Sequence, residues 1–406
     1  MKKTAFLLTI LLALNTTACA FSGSQAKPLV SLPKTQKITE YGEIHGLLTE
    51  IYEDESLNSA LDGFAESTAA VLQTPGNVNY SPLSLYFALA VAKTGGADDP
   101  GLDELLGYDS AGEFTDRFAK LWQLLCRTGE YTECKVANSV WSDAGIKPDF
   151  AKTAAESFYA ECFDTLSADK MSTWIAKNTG CTLKPEIKLV ENQLISILNT
   201  VYFKAEWIDR FNSSNNETGT FHAPTGDVAA TFMQDIEIKC FMRGDNYTTA
   251  SRGFKDDGGM TIVLPDEGTD IRELLESEGL EKLLHGGEQK SGYVNWYFPK
   301  FGFEFDFSAK ELFCDLGAGG LFAENTGMAK NITDSEPMSI SDIVQGTYIE
   351  VDEKGVTASS YTNIIYCGSP APVDTADMRM DRPFLYAVYY RGILLFIGIV
   401  DDPTVK

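Results

Sequence analysis

The chain has 406 residues, room for about two or three domains of roughly 150 residues each or for one large domain with a substantial core. Hydrophobic residues at 44% and aromatics at 11% exclude a disordered, collagenous or low-complexity protein. With 58 acidic against 33 basic residues the formal charge is −25, which argues against nucleic acid or anionic lipid as a partner. The only histidines, His45, His222 and His285, leave little for a histidine-rich metal site.

Lys2-Lys3 precedes an apolar run from Ala5 to Leu14, too short to span a bilayer, and residues 1–20 read as an export signal. Ala18-Cys19-Ala20 has the small-x-small pattern of ordinary signal cleavage. Thr17-Ala18-Cys19 also resembles a lipobox, which would lipidate Cys19 as the new N-terminus, although Thr16 stands where an aliphatic residue is usual. Both routes stay open, and either predicts an extracellular protein, secreted or lipid-anchored. Losing Lys2 and Lys3 takes the charge from −25 to −27. Residues 21–45 begin with the Ser, Gly, Pro and Lys-rich run FSGSQAKPLVSLPKTQ and read as a flexible tether, with the folded domain over 46–406.

Apolar residues recur at helical spacing from Leu57 to Gln73. A short strand at Asn77–Tyr80 leads to a helix with Ser81 as N-cap and Pro82 at its first position, ended by Gly95-Gly96. Further helices are predicted at Leu102–Leu106 and Phe150–Phe163, and a strand at Val136–Trp141. Leu194–Phe203 is almost uninterrupted in apolar residues, the pattern of a strand buried on both faces. Strands follow at Ala229–Met233, Met260–Leu264 and Val294–Phe298, then a short helix over Ala309–Leu316 closed by Gly317. Phe384–Tyr390 and Ile393–Val400 flank Arg391-Gly392 as a buried hairpin. Helices crowd the first half and strands the second, so a single large α+β domain is expected.

Beyond Cys19 there are seven cysteines and no CxxC pair. An odd count leaves at least one thiol free. Cys126 and Cys134 are the only close pair, and the others read mostly as small buried residues.

The segment Gly355–Val373 (GVTASSYTNIIYCGSPAPV) carries no charge in a chain that is 22% charged. Alternation places Val356, Ala358, Ser360, Thr362 and Ile364 on one strand face, whereas Gly368, Pro370 and Pro372 read as loop. Composition alone favours an ordinary edge strand and turn. A hydrolase nucleophile in Cys367-Gly368-Ser369 lacks the Gly-x-Ser-x-Gly elbow.

From about residue 55 to 403 the chain resembles the serpin family. Asn77–Ser84 (NVNYSPLS) is similar to its strand-to-helix shutter motif, and Leu198–Trp207 (LNTVYFKAEW) to its "NAIYFKGxW" strand. Phe232-Met233, Leu264–Gly268 and Phe298–Phe301 match further landmarks. Val351–Gly355 (VDEKG) resembles the hinge; Asp381–Leu385 and Phe396–Val400 resemble the C-terminal signature. The resemblance implies one domain with a large central mixed β-sheet, further sheets, about nine helices and an exposed reactive-centre loop. It implies a monomeric inhibitor without a cofactor or catalytic residues. A target serine protease, or in some cases a cysteine protease, would be trapped as a covalent acyl complex when the cleaved loop inserts as a new strand.

Several residues carry roles by the same resemblance. Ser81, Ser84, Asn199 and Gln345 would sit in the shutter, with Gln345 where many members have histidine, and Trp207 at the breach where the loop enters. Glu353, Gly355, Val356, Ala358, Ser360 and Thr362 form the hinge, whose inward side chains must be uncharged because insertion buries them. Val356 departs from the usual Thr or Ser, and Tyr361 stands where a small residue is usual, facing outward by alternation. The scissile bond stays open: the family spacing from Glu353 gives Ser369-Pro370, a count back from Pro383 lands near Pro372, and Cys367-Gly368 or Tyr366-Cys367 avoid proline on the leaving side. Small or aromatic residues there point to elastase- or chymotrypsin-like targets, since Arg379 lies well beyond the expected place. A non-inhibitory member acting as a surface binding module is the alternative, which charge or proline in the hinge would have favoured.

Overall fold

The computed structural model describes residues 26–34, 41–107, 111–189, 193–323, 329–335, 343–357 and 374–406. Its helices are α1 (Tyr41–Glu53), α2 (Glu55–Thr68), α3 (Pro82–Thr94), α4 (Pro100–Leu106), α5 (Ala111–Leu125), α6 (Pro148–Phe158), α7 (Ala168–Asn178), α8 (Ile271–Glu278), α9 (Leu280–His285) and α10 (Lys310–Phe313). The fold is α+β, with ten α-helices among the described residues.

A nine-stranded sheet runs in the order β1 (Val78–Tyr80), β16 (Ile393–Val400), β15 (Phe384–Tyr390), β9 (Gly258–Pro265), β8 (Tyr247–Phe254), β7 (Gly226–Gly244), β10 (Glu288–Pro299) and β14 (Asp374–Arg379). Strand β6 (Glu217–Ala223) pairs with β7 off this path. A seven-stranded sheet follows the order β11 (Phe301–Ser308), β12 (Val344–Val351), β13 (Gly355–Thr357), β5 (Ile195–Glu206), β3 (Thr132–Ser142) and β2 (Arg127–Thr128), with β4 (Ala160–Phe163) parallel to β3.

Local signals set several of these boundaries. The Ser81 hydroxyl accepts from the Ser84 N–H at 3.1 Å, Pro82 starts α3, and Gly95 ends it. In the hairpin β15–β16, Arg391 (φ 52°) and Gly392 (φ 78°) both take the left-handed conformation that a two-residue turn requires. Gly317 turns the chain at φ 88° after α10.

Three elements differ from expectation. The helix predicted over Phe150–Phe163 stops at Phe158, because Tyr159 adopts φ 48° and the chain continues as β4. Its ring stacks on Trp122 at 3.6 Å between centroids, and its hydroxyl accepts from Gln123 Nε2 at 3.1 Å. A non-glycine residue is thus held left-handed by a tertiary contact invisible to propensity. Strand β5 is half-buried along most of its length, with Thr200, Phe203 and Ala205 buried, and both α3 and α7 pack against it. The N-terminal segment expected to be a tether is engaged in part. Leu29 N–H donates to the Cys162 carbonyl at 2.8 Å, Ala26 packs beside Trp141 and Phe163, and α1 begins at Tyr41.

Candidate functional site

Strands β5 and β12 run parallel to each other, and among the described residues they meet only through β13, which is antiparallel to both. Val356 sits in register between Val351 of β12 and Ala205 of β5, and is 1% exposed. Gly355 pairs with Glu206, and a Cβ there would lie 1.9 Å from the Ala205 carbonyl oxygen. Any side chain at 355 would therefore push β13 out of the sheet. A small open pocket is lined by Val201, Tyr202 and Phe203 of β5, Tyr348 of β12, Thr179 and Phe396.

The turn entering β13 is fastened from several sides. The Asp352 carboxylate accepts from Lys354 N–H at 2.8 Å and Gly355 N–H at 3.2 Å, closing the turn on itself. Trp207, fully buried, donates its indole N–H to the Asp352 carbonyl at 3.0 Å and its backbone N–H to the Lys354 carbonyl at 2.9 Å. Its ring stacks on Phe254 with centroids 4.7 Å apart. Phe211 N–H donates to the Glu353 carbonyl at 3.0 Å. The Glu353 carboxylate accepts from Asn216 Nδ2 at 2.5 Å and pairs with Lys300 Nζ at 3.0 Å. Partial burial pushes its pKa up, but the Asn216 amide and the Lys300 ammonium outweigh that, and the carboxyl lies below its usual range.

A second polar cluster lies toward the start of β12. The Gln345 side chain accepts from Ser81 N–H at 2.8 Å and donates to the Ser81 carbonyl at 2.9 Å, so one amide satisfies both backbone groups of one residue. Thr347, two residues on and on the same face, donates to the Asn79 carbonyl at 2.6 Å. The Asn79 side chain accepts from the Tyr386 hydroxyl at 3.0 Å. Asn199, expected with Ser81, is placed elsewhere: it donates to Asn138 Oδ1 at 2.6 Å across the β3–β5 ladder, and Asn138 donates to the Phe158 carbonyl at 2.8 Å. Asn79 Nδ2 and Asn199 Oδ1 are buried without a hydrogen-bond partner among the described residues.

The structure thus brings Trp207, Glu353, Gly355 and Val356 together at one end, and Ser81, Ser84 and Gln345 at another. Ala358, Ser360, Thr362 and every scissile-bond candidate (Tyr366, Cys367, Gly368, Ser369, Pro370) lie outside the described residues, as does Cys19. Sequence reasoning missed Thr347, Asn138, Asn216 and Lys300 as partners. The polar pair Gln345/Thr347, alternating ahead of buried Ile349 and Val351, was a usable signal; Asn216 offered none.

The close pair Cys126 and Cys134 are free thiols, as are Cys162 and Cys314, whereas Cys181 and Cys240 each take part in a disulfide. Burial pushes the Cys126 and Cys162 thiols up to about 12, so both stay protonated and inert.

Comparison with known proteins gives one family. A profile described as Serpin (serine protease inhibitor) matches residues 60–403. Serpin-ZXA of Oryza sativa subsp. japonica is 28% identical over 381 residues, 84% of this chain and 96% of that protein. Alpha-1-antiproteinase of Callosciurus caniceps is 26% identical over 357 residues, 81% of this chain and 84% of its own. The crystal structure of the thermophilic serpin tengpin in the native state has the same fold, with a TM-score of 0.75 at 21% identity, covering 93% of this chain and 100% of that one.

Proposed function

The chain belongs to the serpin family, and from that premise we propose that it is an exported inhibitor of serine proteases acting by insertion of its cleaved loop between β5 and β12. Members of this family are generally protease inhibitors rather than enzymes. The observation that carries the reading is the docked β13. Two parallel strands flank a single antiparallel strand of three residues, and the chain beyond it is uncharged as far as Val373. A strand propagating from β13 would add ladder bonds to two edges at once and bury Val356, Ala358, Ser360 and Thr362 without placing a charge in the core.

The chemistry belongs to the target. The protease nucleophile attacks a carbonyl within residues 366–372, the amine on the leaving side departs, and an acyl-enzyme forms on the hinge side of the loop. Insertion then carries the acylated enzyme away from its productive geometry before water completes hydrolysis. Asn79 Nδ2, Asn199 Oδ1 and Thr200 Oγ1, buried without a partner among the described residues, support a native state held kinetically rather than at its lowest free energy. Small and aromatic residues in 366–369 favour elastase- or chymotrypsin-like enzymes, and residues 1–20 favour action outside the cell, secreted or anchored through Cys19.

The test is to mix the protein lacking residues 1–20 with pancreatic elastase and with chymotrypsin, resolve the products on a denaturing gel and sequence the released C-terminal peptide. A covalent band at the summed mass is expected, and the peptide's first residue then gives the reactive bond. Cleavage without complex, and with no gain in heat resistance of the cleaved form, would overturn the inhibitor reading in favour of a binding module.

A further inference from the structure

Arg252 stands where packing calls for an apolar side chain. Ala250 and Phe254, its alternate neighbours on β8, are buried and apolar, and Arg252 itself is 1% exposed. Its charge is met from β7, whose Asp235, Glu237 and Lys239 turn inward while the intervening Ile236 and Ile238 face solvent. Arg252 reaches Asp235 at 2.7 Å and Glu237 at 3.3 Å, Lys239 pairs with Glu237 at 2.7 Å, and the Trp296 indole N–H donates to Glu237 at 2.8 Å. Arg252 Nε is nevertheless buried without a hydrogen-bond partner among the described residues. A buried ionic cluster adds little stability over apolar residues of similar volume, and this one leaves a donor unpaired. Stability does not account for the arginine.

What the guanidinium touches does account for it. The chain leaving β5 meets it with alternate residues. The Phe211 and Trp207 rings lie 3.9 and 5.8 Å from the guanidinium carbon, and the Asp209 carbonyl between them accepts from Nη2 at 2.6 Å. The same two aromatic residues hold the hinge turn. Their backbone N–H groups donate to the Lys354 and Glu353 carbonyls, and the Trp207 indole donates to the Asp352 carbonyl. Each of these hinge bonds is therefore made by a residue that packs on Arg252.

We propose that Arg252 is a positioning residue for loop insertion, an inference that rests on the inhibitor reading above. It seats residues 207–211 so that the turn Asp352–Gly355 presents β13 in register to β5 and β12. Insertion extends from β13, so a turn that has shifted must recover its register before the strand propagates. Hydrolysis of the acyl-enzyme gains that time. The candidate bonds at 366–372 lie ten or more residues beyond Val356, so acylation itself does not depend on Arg252.

The test uses two variants that keep the net charge of the cluster. Arg252→Lys retains the positive charge, but an ammonium on a flexible stem cannot lie flat on Phe211 and span the Asp209 carbonyl and Asp235 together. Arg252→Met with Asp235→Asn removes one charge of each sign and refills the volume. With whichever protease forms the covalent complex, the ratio of hydrolysed to trapped inhibitor is expected to rise about three- to tenfold in both, with the acylation rate held. Hydrogen exchange followed by mass spectrometry should show residues 207–211 losing protection while the β15–β16 hairpin keeps its own. An unchanged ratio in the folded variants overturns the role in insertion and leaves the inhibitor reading intact. A ratio that rises while 207–211 stay protected overturns the seating of the turn. Protection lost across both sheets, with a lower thermal midpoint in both variants, would make the arginine merely structural and overturn the proposal. Failure of the wild type to trap any enzyme overturns the inhibitor reading and the role in insertion with it, and the exchange of 207–211 then decides by itself whether Arg252 seats the turn.

Discussion

Strand β13 and the Ser81–Gln345 cluster hold the same gap between β5 and β12 by different means. At β13 the hinge is already a strand, fastened by main-chain bonds to both neighbours and by the Trp207 indole, in a slot where Gly355 has no room for a side chain. At Gln345 the restraint is one amide reading both backbone groups of Ser81, near an Asn79 side-chain nitrogen that has no partner among the described residues. The first end is ordered by steric fit and cannot be widened gradually. The second is ordered by hydrogen bonds that can exchange partners, the property a sheet needs if it is to part and close again.

The largest effect should come from Val356→Arg. An unpaired guanidinium in a site 1% exposed costs about 3–5 kcal/mol, more than a three-residue strand can repay, so β13 undocks while the rest of the fold stands. The loop should remain cleavable but fail to insert, turning inhibitor into substrate. One-to-one trapping by this variant, read on a denaturing gel, would show that β13 does not seed insertion. Next is Gly355→Ala, whose Cβ meets backbone rather than a movable side chain. About 3 kcal/mol of overpacking should displace β13 and expose residues 353–357 to limited proteolysis. Protection equal to wild type would contradict the steric account.

At the other end, Gln345→Leu keeps the volume and strips both side-chain bonds from Ser81; its N–H is left buried and unpaired at about 2 kcal/mol, while its carbonyl keeps only the bond from Leu85 N–H. Spontaneous loop insertion on mild heating, followed by native gel mobility, should accelerate, while β13 stays protected. If β13 loosens as well, the two ends are coupled and the contrast fails. Because the Gln345 amide does not titrate, the wild-type shutter should be insensitive to pH between about 5 and 8, where histidine titrates (ordinary pKa about 6.5), and Gln345→His should introduce a dependence there.

The smallest effect is expected at Glu353. Its carboxyl pKa is lowered in the folded state, so its contribution is fully present above the unfolded value of about 4.3 and is lost as pH falls through the folded value. Glu353→Gln should cost under about 1 kcal/mol at pH 7, since Lys300 is 37% exposed and the pair is screened. The gap between the two proteins in denaturant melts should narrow and close as pH falls below the ordinary carboxylate range. A gap that persists there would locate the effect in packing rather than charge.

Much of the fold was legible because it is locally encoded. Ser81-Pro82 and Gly95 bracket α3, and Arg391-Gly392 turns the C-terminal hairpin, through backbone preferences that act within a few residues. What failed was decided at a distance. Tyr159 ends α6 because Trp122 stacks on it, and how deeply β5 is buried depends on α3 and α7, which pack against it from elsewhere in the chain.

The sequence by itself determined the family, the uncharged character of 355–373 and the residue types at the hinge, since those are matters of composition and order. Only the tertiary structure decided that Asn199 pairs with Asn138 rather than Ser81, that Gly355 is required by the Ala205 carbonyl and not by its own torsion, and that Asp235, Glu237 and Lys239 face inward beneath exposed isoleucines. Each depends on what a neighbouring strand presents across a ladder, and register between strands distant in sequence is set by the whole sheet.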